Sequence, residues 1–156
     1  MATFDSTTYT AQQAKAYTRN VNPSFRELQQ PLRYAVFSYT LAGTEANGDI
    51  INLGSLGVDN AIVIPHLSSL RDTGGTGDVD FDAKLNALID GTSTDLSGVA
   101  SCDNTRAAFA DKSDPVPVEI DADDVLRLII SDASLGAVTA GETIIVEVCY
   151  RTKAVQ

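Results

Sequence analysis

Residues 78–89 read Asp78-Val79-Asp80-Phe81-Asp82-Ala83-Lys84-Leu85-Asn86-Ala87-Leu88-Ile89, and their alternation decides the fold class. Val79, Phe81, Ala83, Leu85, Ala87 and Ile89 fall on one side of an extended chain; Asp80, Asp82, Lys84 and Asn86 fall on the other. Successive side chains of a strand point to opposite faces, so this is a strand with one buried and one wet face. Working outward, further runs rich in β-branched and aromatic residues occur at Arg33 to Leu41, Asp49 to Leu53, Ala61 to Leu67, Val116 to Ile120, Val125 to Ser131 and Thr143 to Arg151. Turn signals separate them: Asn47-Gly48-Asp49, Gly57-Val58-Asp59-Asn60, residues 72–77, Asp90-Gly91 and Ala140-Gly141. Seven or eight short strands without a sustained 3.6-residue apolar period predict an all-β, antiparallel sandwich or jelly roll. Pro65 cannot donate to a ladder, so the strand beginning at Ala61 should end, bulge or lie at an edge there. Thr92 to Pro117, rich in Asp, Ser, Asn and Ala, reads as a long surface connection with a helical turn near Thr105 to Ala110.

The first residues are different. They are rich in Thr, Gln, Ala and Asn, with aromatics at Phe4, Tyr9, Tyr17 and Phe25 and few aliphatics, too little apolar surface for a core of their own. The expected organisation is an N-terminal arm over residues 1–34 and a β-sandwich domain over 35–156. The arm either lies on another protein or packs on its own domain, with a short helical turn where Ser24-x-x-Glu27 resembles a capping box closed by Pro31.

A chain of 156 residues fits one domain that buries roughly 70 % of the surface its unfolded form exposes. Its longest apolar stretches, Val125 to Ile130 and Thr143 to Tyr150, fall far short of the roughly 20 residues that cross a bilayer. The first residues, Met1 to Tyr9, have neither a basic start nor an apolar stretch, so no secretory signal is expected. Net charge is −10, unevenly spread. Residues 1–40 carry four basic and two acidic groups, and the remainder carries 7 basic and 19 acidic ones. A body this acidic repels nucleic acid and anionic membrane, so neither is an expected partner.

Few residues invite chemistry. The single histidine, His66, has no Gly-x-Ser-x-Gly elbow to serve, and a lone histidine at a strand end reads as structural. Cys102 and Cys149 are distant and form no Cys-x-x-Cys pair; they read as buried free thiols, a disulfide requiring both proximity and an oxidising compartment. Asp78-x-Asp80-x-Asp82 starts like a calcium loop, but Ala83 and Ile89 stand where glycine and glutamate are required. In a strand the three carboxylates simply share the solvent face. A weak cation site there or at Asp121-x-Asp123-Asp124 is the competing reading. Gly74-Gly75-Thr76-Gly77 lacks the lysine of a phosphate loop and reads as a hairpin tip. The expectation is therefore no enzyme, no cofactor and no metal.

Two stretches, Gly48-Asp49-Ile50-Ile51-Asn52-Leu53-Gly54-Ser55-Leu56-Gly57 and Ala61-Ile62-Val63-Ile64-Pro65-His66-Leu67-Ser68-Ser69-Leu70, resemble a phrase of small virion structural proteins of tailed bacteriophages. Asp123 to Leu126 and the Ala140 to Arg151 ending fit the same outline, so the likeness spans residues 35–151; Gly57-Val58-Asp59 departs from it in the turn. The resemblance implies a capsid decoration or cement protein with a jelly-roll-like body, commonly a trimer, located on the capsid surface of the virion after assembly in the host cytoplasm. Its partner would be the major capsid protein, whose lattice it would bind and stabilise through multivalent contacts. Arm aromatics and arginines suit such contacts, and Phe4, Tyr9, Tyr17, Arg19 and Phe25 are the expected contact residues. Alternatives left open are another head or tail component, such as a head-fibre base or connector, and a carbohydrate- or calcium-binding sandwich.

Overall fold

The structure, a computed structural model, describes residues 31–73, 79–103, 105–113, 117–131 and 138–153. The strands are β1 (Arg33–Thr40), β2 (Ile50–Gly54), β3 (Ala61–Val63), β4 (Ser69–Asp72), β5 (Asp80–Ile89), β6 (Thr92–Asp103), β7 (Ala107–Ala108), β8 (Glu119–Ile120), β9 (Val125–Ile130) and β10 (Thr143–Thr152). All pairings between them are antiparallel.

Two strands are each interrupted. β10 pairs along one edge with β1 and along the other with β4 and then β3, since Tyr150 opposes both Arg33 and Val63. A 3₁₀ turn at Pro65–Leu67 divides β3 from β4, where Pro65 removes a ladder donor as expected. β8 and β7 in turn line the far edge of β3 and β4. One sheet is therefore β1, β10, β3/β4, β8/β7, and the other is β2, β9, β5, β6. With β3/β4 and β7/β8 each counted as one strand, successive strands alternate between the two sheets except at the β5–β6 hairpin, which is the order of a jelly roll.

The sandwich forms because inward positions are apolar in every long strand. Ala35, Phe37 and Tyr39 of β1, Ile51 and Leu53 of β2, Leu126, Leu128 and Ile130 of β9, and Ile144, Val146, Val148 and Tyr150 of β10 are buried in one cluster. Val79, Ala83, Leu85 and Ala87 join it from the stretch that decided the fold class, with Ile89 half-buried against them; the Phe81 side chain lies outside the described set. Burying each leucine or isoleucine contributes about 1.5–3 kcal/mol, and this burial is what holds the two sheets together.

One sequence expectation is overturned. Thr92–Asp103 is not a connection but β6, the longest strand, and Ala107–Ala108 is a short strand where a helical turn was expected. Leu96, Ala100 and Cys102 are the buried hydrophobic positions of β6, Ser97 is buried with them, and the rest are mostly small or polar, so the hydrophobic signal of that strand is weak. Asp90 and Gly91, with φ of 49° and 78°, form the two-residue turn of the β5–β6 hairpin, in which Ile89 opposes Thr92. The ladder is broken by a bulge: Lys84 opposes Val99 but Asn86 opposes Asp95. There the Leu85 N–H donates to Ser97 Oγ at 2.8 Å instead of to a backbone carbonyl. The displaced Gly98 N–H donates to the Ala110 carbonyl at 2.7 Å, stitching the two sheets together along that side.

Candidate interaction surface

The described residues offer surfaces rather than a reaction centre. A shallow recess of about 130 Å³ is lined by Tyr39, Ala42, Thr44, Glu45, Asp49, Ile50 and Ile51, well under the roughly 300 Å³ of a small-molecule site. Both of its carboxylates are engaged: Glu45 accepts from the backbone N–H groups of Ala42, Gly43 and Thr44 and from Tyr39 Oη, and Asp49 Oδ2 accepts from the Ala46 N–H at 2.8 Å. Burial, followed by the nearby Glu45 charge, raises the Tyr39 pKa.

The candidate chemical groups are dispersed. His66 lies on the 3₁₀ turn with Nδ1 3.1 Å from Asp111 Oδ1, and both side chains are about 60 % exposed. The nearby Ser68 hydroxyl is buried and structural: it donates to the Ile64 carbonyl at 2.9 Å and accepts from the Cys149 N–H at 2.9 Å. The aspartates near residue 121 cap turns. Asn60 N–H donates to Asp121 Oδ1, Ala122 N–H to Asp59 Oδ1 and Asp121 N–H to Asp124 Oδ2. Asp80 and Asp82 are half-buried beside β6; Asp78 and the 74–77 glycine run lie outside the described residues. Among the described residues no group of three or more metal-ligating side chains is gathered. No helix among them is long and apolar enough to cross a membrane. Cys102 and Cys149 are both buried and free. Burial first, with the Asp72 charge behind it, pushes the Cys102 thiol up to about 11.

The two outer sheet faces carry organised side chains. On the first sheet Glu147 Oε2 accepts from Arg106 at 2.6 Å and from Ser69 Oγ at 3.2 Å, while its other oxygen lies 3.5 Å from Arg71 Nε. Leu32 and Tyr34, at the head of β1, are 41 % and 39 % exposed. Tyr34 opposes Cys149, and its interaction with that thiol is the main cause of the raised tyrosine pKa.

On the second sheet Lys84 Nζ donates to Asp95 Oδ2 at 2.6 Å and Asn86 Nδ2 to Asp95 Oδ1 at 2.8 Å. Ser93 Oγ donates to Asn86 Oδ1 at 3.1 Å. Burial works against the Asp95 charge, but the bonds from Lys84 and Asn86 outweigh it and lower the carboxyl's pKa. Beside this network β9 points Val125, Arg127 and Ile129 outward, in register with Leu88, Asn86 and Lys84 of β5. Asn52 and Ile50 of β2 oppose Arg127 and Ile129 on the other side. The Nε of Arg127 and the Oγ of Ser131 are sealed from solvent and have no hydrogen-bond partner.

The expected contact residues Phe4, Tyr9, Tyr17, Arg19 and Phe25, and the Ser24–Glu27 capping box, lie outside the described residues. Sequence reading passed over Arg127, although its signal was present: a single cation inside the apolar run Val125-Leu126-Arg127-Leu128-Ile129-Ile130.

No protein-family model matches the chain, and no curated protein matches it. Among solved structures it is similar to a chain from the capsid of Ralstonia phage GP4, with 20% identity and a TM-score of 0.52 over 80% of this chain and 86% of that one. At that identity, what the two chains share is the two-sheet fold.

Proposed function

We propose that the protein is a non-enzymatic structural component of a phage particle, a decoration or cement protein that binds and stabilises the lattice of the major capsid protein. The observation that carries this reading is the likeness over most of both chains to a protein of a phage capsid. The sequence phrase of residues 48–70 points to the same class of protein. The surface supports it too: organised polar networks and half-buried apolar side chains on broad sheet faces suit protein contact better than turnover.

In this reading the sandwich is a stiff wedge. The residues ahead of β1, which begins at Arg33 and so takes Arg33 and Tyr34 out of the expected arm over 1–34, form an arm that crosses a subunit boundary, with Phe4, Tyr9, Tyr17, Arg19 and Phe25 in contact. A trimer engaging several shell subunits converts weak single contacts into strong avidity. Expansion of the shell completes the site, so binding favours the mature lattice by mass action.

Quantifying the protein in purified virions by mass spectrometry tests this assignment. A copy number comparable with that of the shell subunits is expected. A number matching a single portal or tail ring would make the protein a connector or tail component, and absence from the particle would remove it from the virion altogether.

A further inference from the structure

β1 pairs with β10 over eight residues without a break, and among the described residues no strand lies along its other edge. Leu41 N–H donates to the Glu142 carbonyl on one side of β10, and Thr73 N–H to the Thr143 carbonyl on the other. Even-numbered residues of β10 therefore bond β1. Bonding alternates along an antiparallel strand, so Ala35, Phe37 and Tyr39 bond β10, while the backbone N–H and C=O groups of Tyr34, Val36, Ser38 and Thr40 point away from the sheet.

Sheet edges are normally shielded by short strands, bulges, charged side chains, proline or a covering segment. The other three edges have such shields. β7 and β8 have two residues each, and β2 has five with a register break before Gly54. β6 is bulged, and the Ala110 backbone bonds its Gly98 and Val99. β1 has none of these devices: Tyr34-Ala35-Val36-Phe37-Ser38-Tyr39-Thr40 holds no charge, no proline and no bulge.

The chain ahead of β1 joins the sheet at the head of this edge, through the exposed Leu32. Within it Thr3-Phe4-Asp5-Ser6-Thr7-Thr8-Tyr9-Thr10 equals β1 in length, and six of its eight residues are threonine or aromatic, types that favour strands. Residues 11–32 separate it from β1. That is far more than the about 2–5 residues that join neighbouring strands of one chain in a hairpin. Extended, such a connection spans roughly 70 Å, against a radius of gyration of roughly 14 Å for a body of this size. Charge points the same way. Residues 1–30 carry three basic and two acidic groups, a net +1, which leaves −11 for residues 31–156. Bodies of that charge repel one another, so the leader is the part of one copy that the next attracts.

Resting on the function proposed above, we propose that residues 3–10 of one copy add as a strand to the open edge of β1 in a second copy. Each copy gives one strand and accepts one, so the contact is heterologous and closes into the trimer ring.

Light scattering on the full-length protein and two variants tests this. A chain lacking residues 1–12 keeps the edge and loses the strand. Val36→Pro keeps the strand and blocks the edge, because the Val36 N–H points away from β10 and proline there leaves that ladder intact. Wild type is expected as a trimer and each variant as a monomer. Mixed in equal amounts, the two variants are expected to pair one to one, since one supplies the strand and the other the edge. A synthetic peptide of residues 2–12 is expected to bind the deletion variant saturably, a result that does not depend on Val36→Pro folding. Either variant keeping the wild-type mass, or a peptide that does not bind, would overturn the exchange. A monomeric wild type whose melting temperature falls on deletion would place the strand on its own chain and overturn it as well. These measurements use no shells, so trimers that fail to bind shells would end the lattice role alone.

Discussion

Gly98 has no room for a side chain. A Cβ there would stand 3.0 Å from the Ala110 Cβ and 3.0 Å from the Asp111 carbonyl oxygen, and the neighbouring backbone is held by the 2.7 Å bond from Gly98 N–H to the Ala110 carbonyl. Gly98→Ala should therefore force the β6 bulge and the 110–111 backbone apart by a few tenths of an ångström and cost about 1–3 kcal/mol, measured by urea unfolding. Gly48→Ala meets no atom within 4 Å, and its φ of +90° makes its penalty one of backbone strain alone. Cys102 yields a pH prediction. Its folded-state pKa, about 11, lies above the ordinary 9.0, so its contribution is complete below pH 9 and is lost as pH rises through the folded value. The melting temperature should fall between about pH 9 and 11, and Cys102→Ala should remove part of that fall. A thiol reagent at pH 8 should leave Cys102 unmodified until the chain unfolds. Modification in the folded state would contradict its burial.

Alternation made β1, β2, β5, β9 and β10 legible in the sequence, because each faces one apolar core and one wetter surface. β6 was hidden for a physical reason: its inward positions Leu96, Ala100 and Cys102 are interrupted by Gly98 and preceded by Thr92, Ser93, Thr94 and Asp95, so its apolar alternation is short and weak. The stronger clue was Asp90-Gly91 directly after an alternating strand, a hairpin signal that demands a partner strand next in sequence. The interrupted column β3/β4 was half legible, since Pro65 announced the break but nothing local announced the resumption at Ser69. On the functional side, the lone cation of β9 was visible, while the burial of its Nε depends on cross-strand neighbours that only the fold defines. Element length and position also set local stability. Amides of β10 and β5, paired on both sides, should exchange with solvent slowest, and those of the two-residue strands β7 and β8 fastest. Hydrogen exchange followed by mass spectrometry reads this directly; uniform protection would contradict it.

For the molecule as a whole, the jelly roll supplies a rigid body with two outer faces, and the sequence places a weakly basic leader before an acidic body. Such a leader can reach an acidic neighbour that the body alone would not touch, and this is the basis for proposing that the residues ahead of β1 make contacts. The proposed role is to hold a capsid lattice together, and the melting temperature of expanded shells with and without added protein tests that role most directly. Saturable binding and a shell transition that rises with occupancy are expected, both weakened when residues 1–30 are deleted. Shells that neither bind the full-length protein nor melt later in its presence would contradict it.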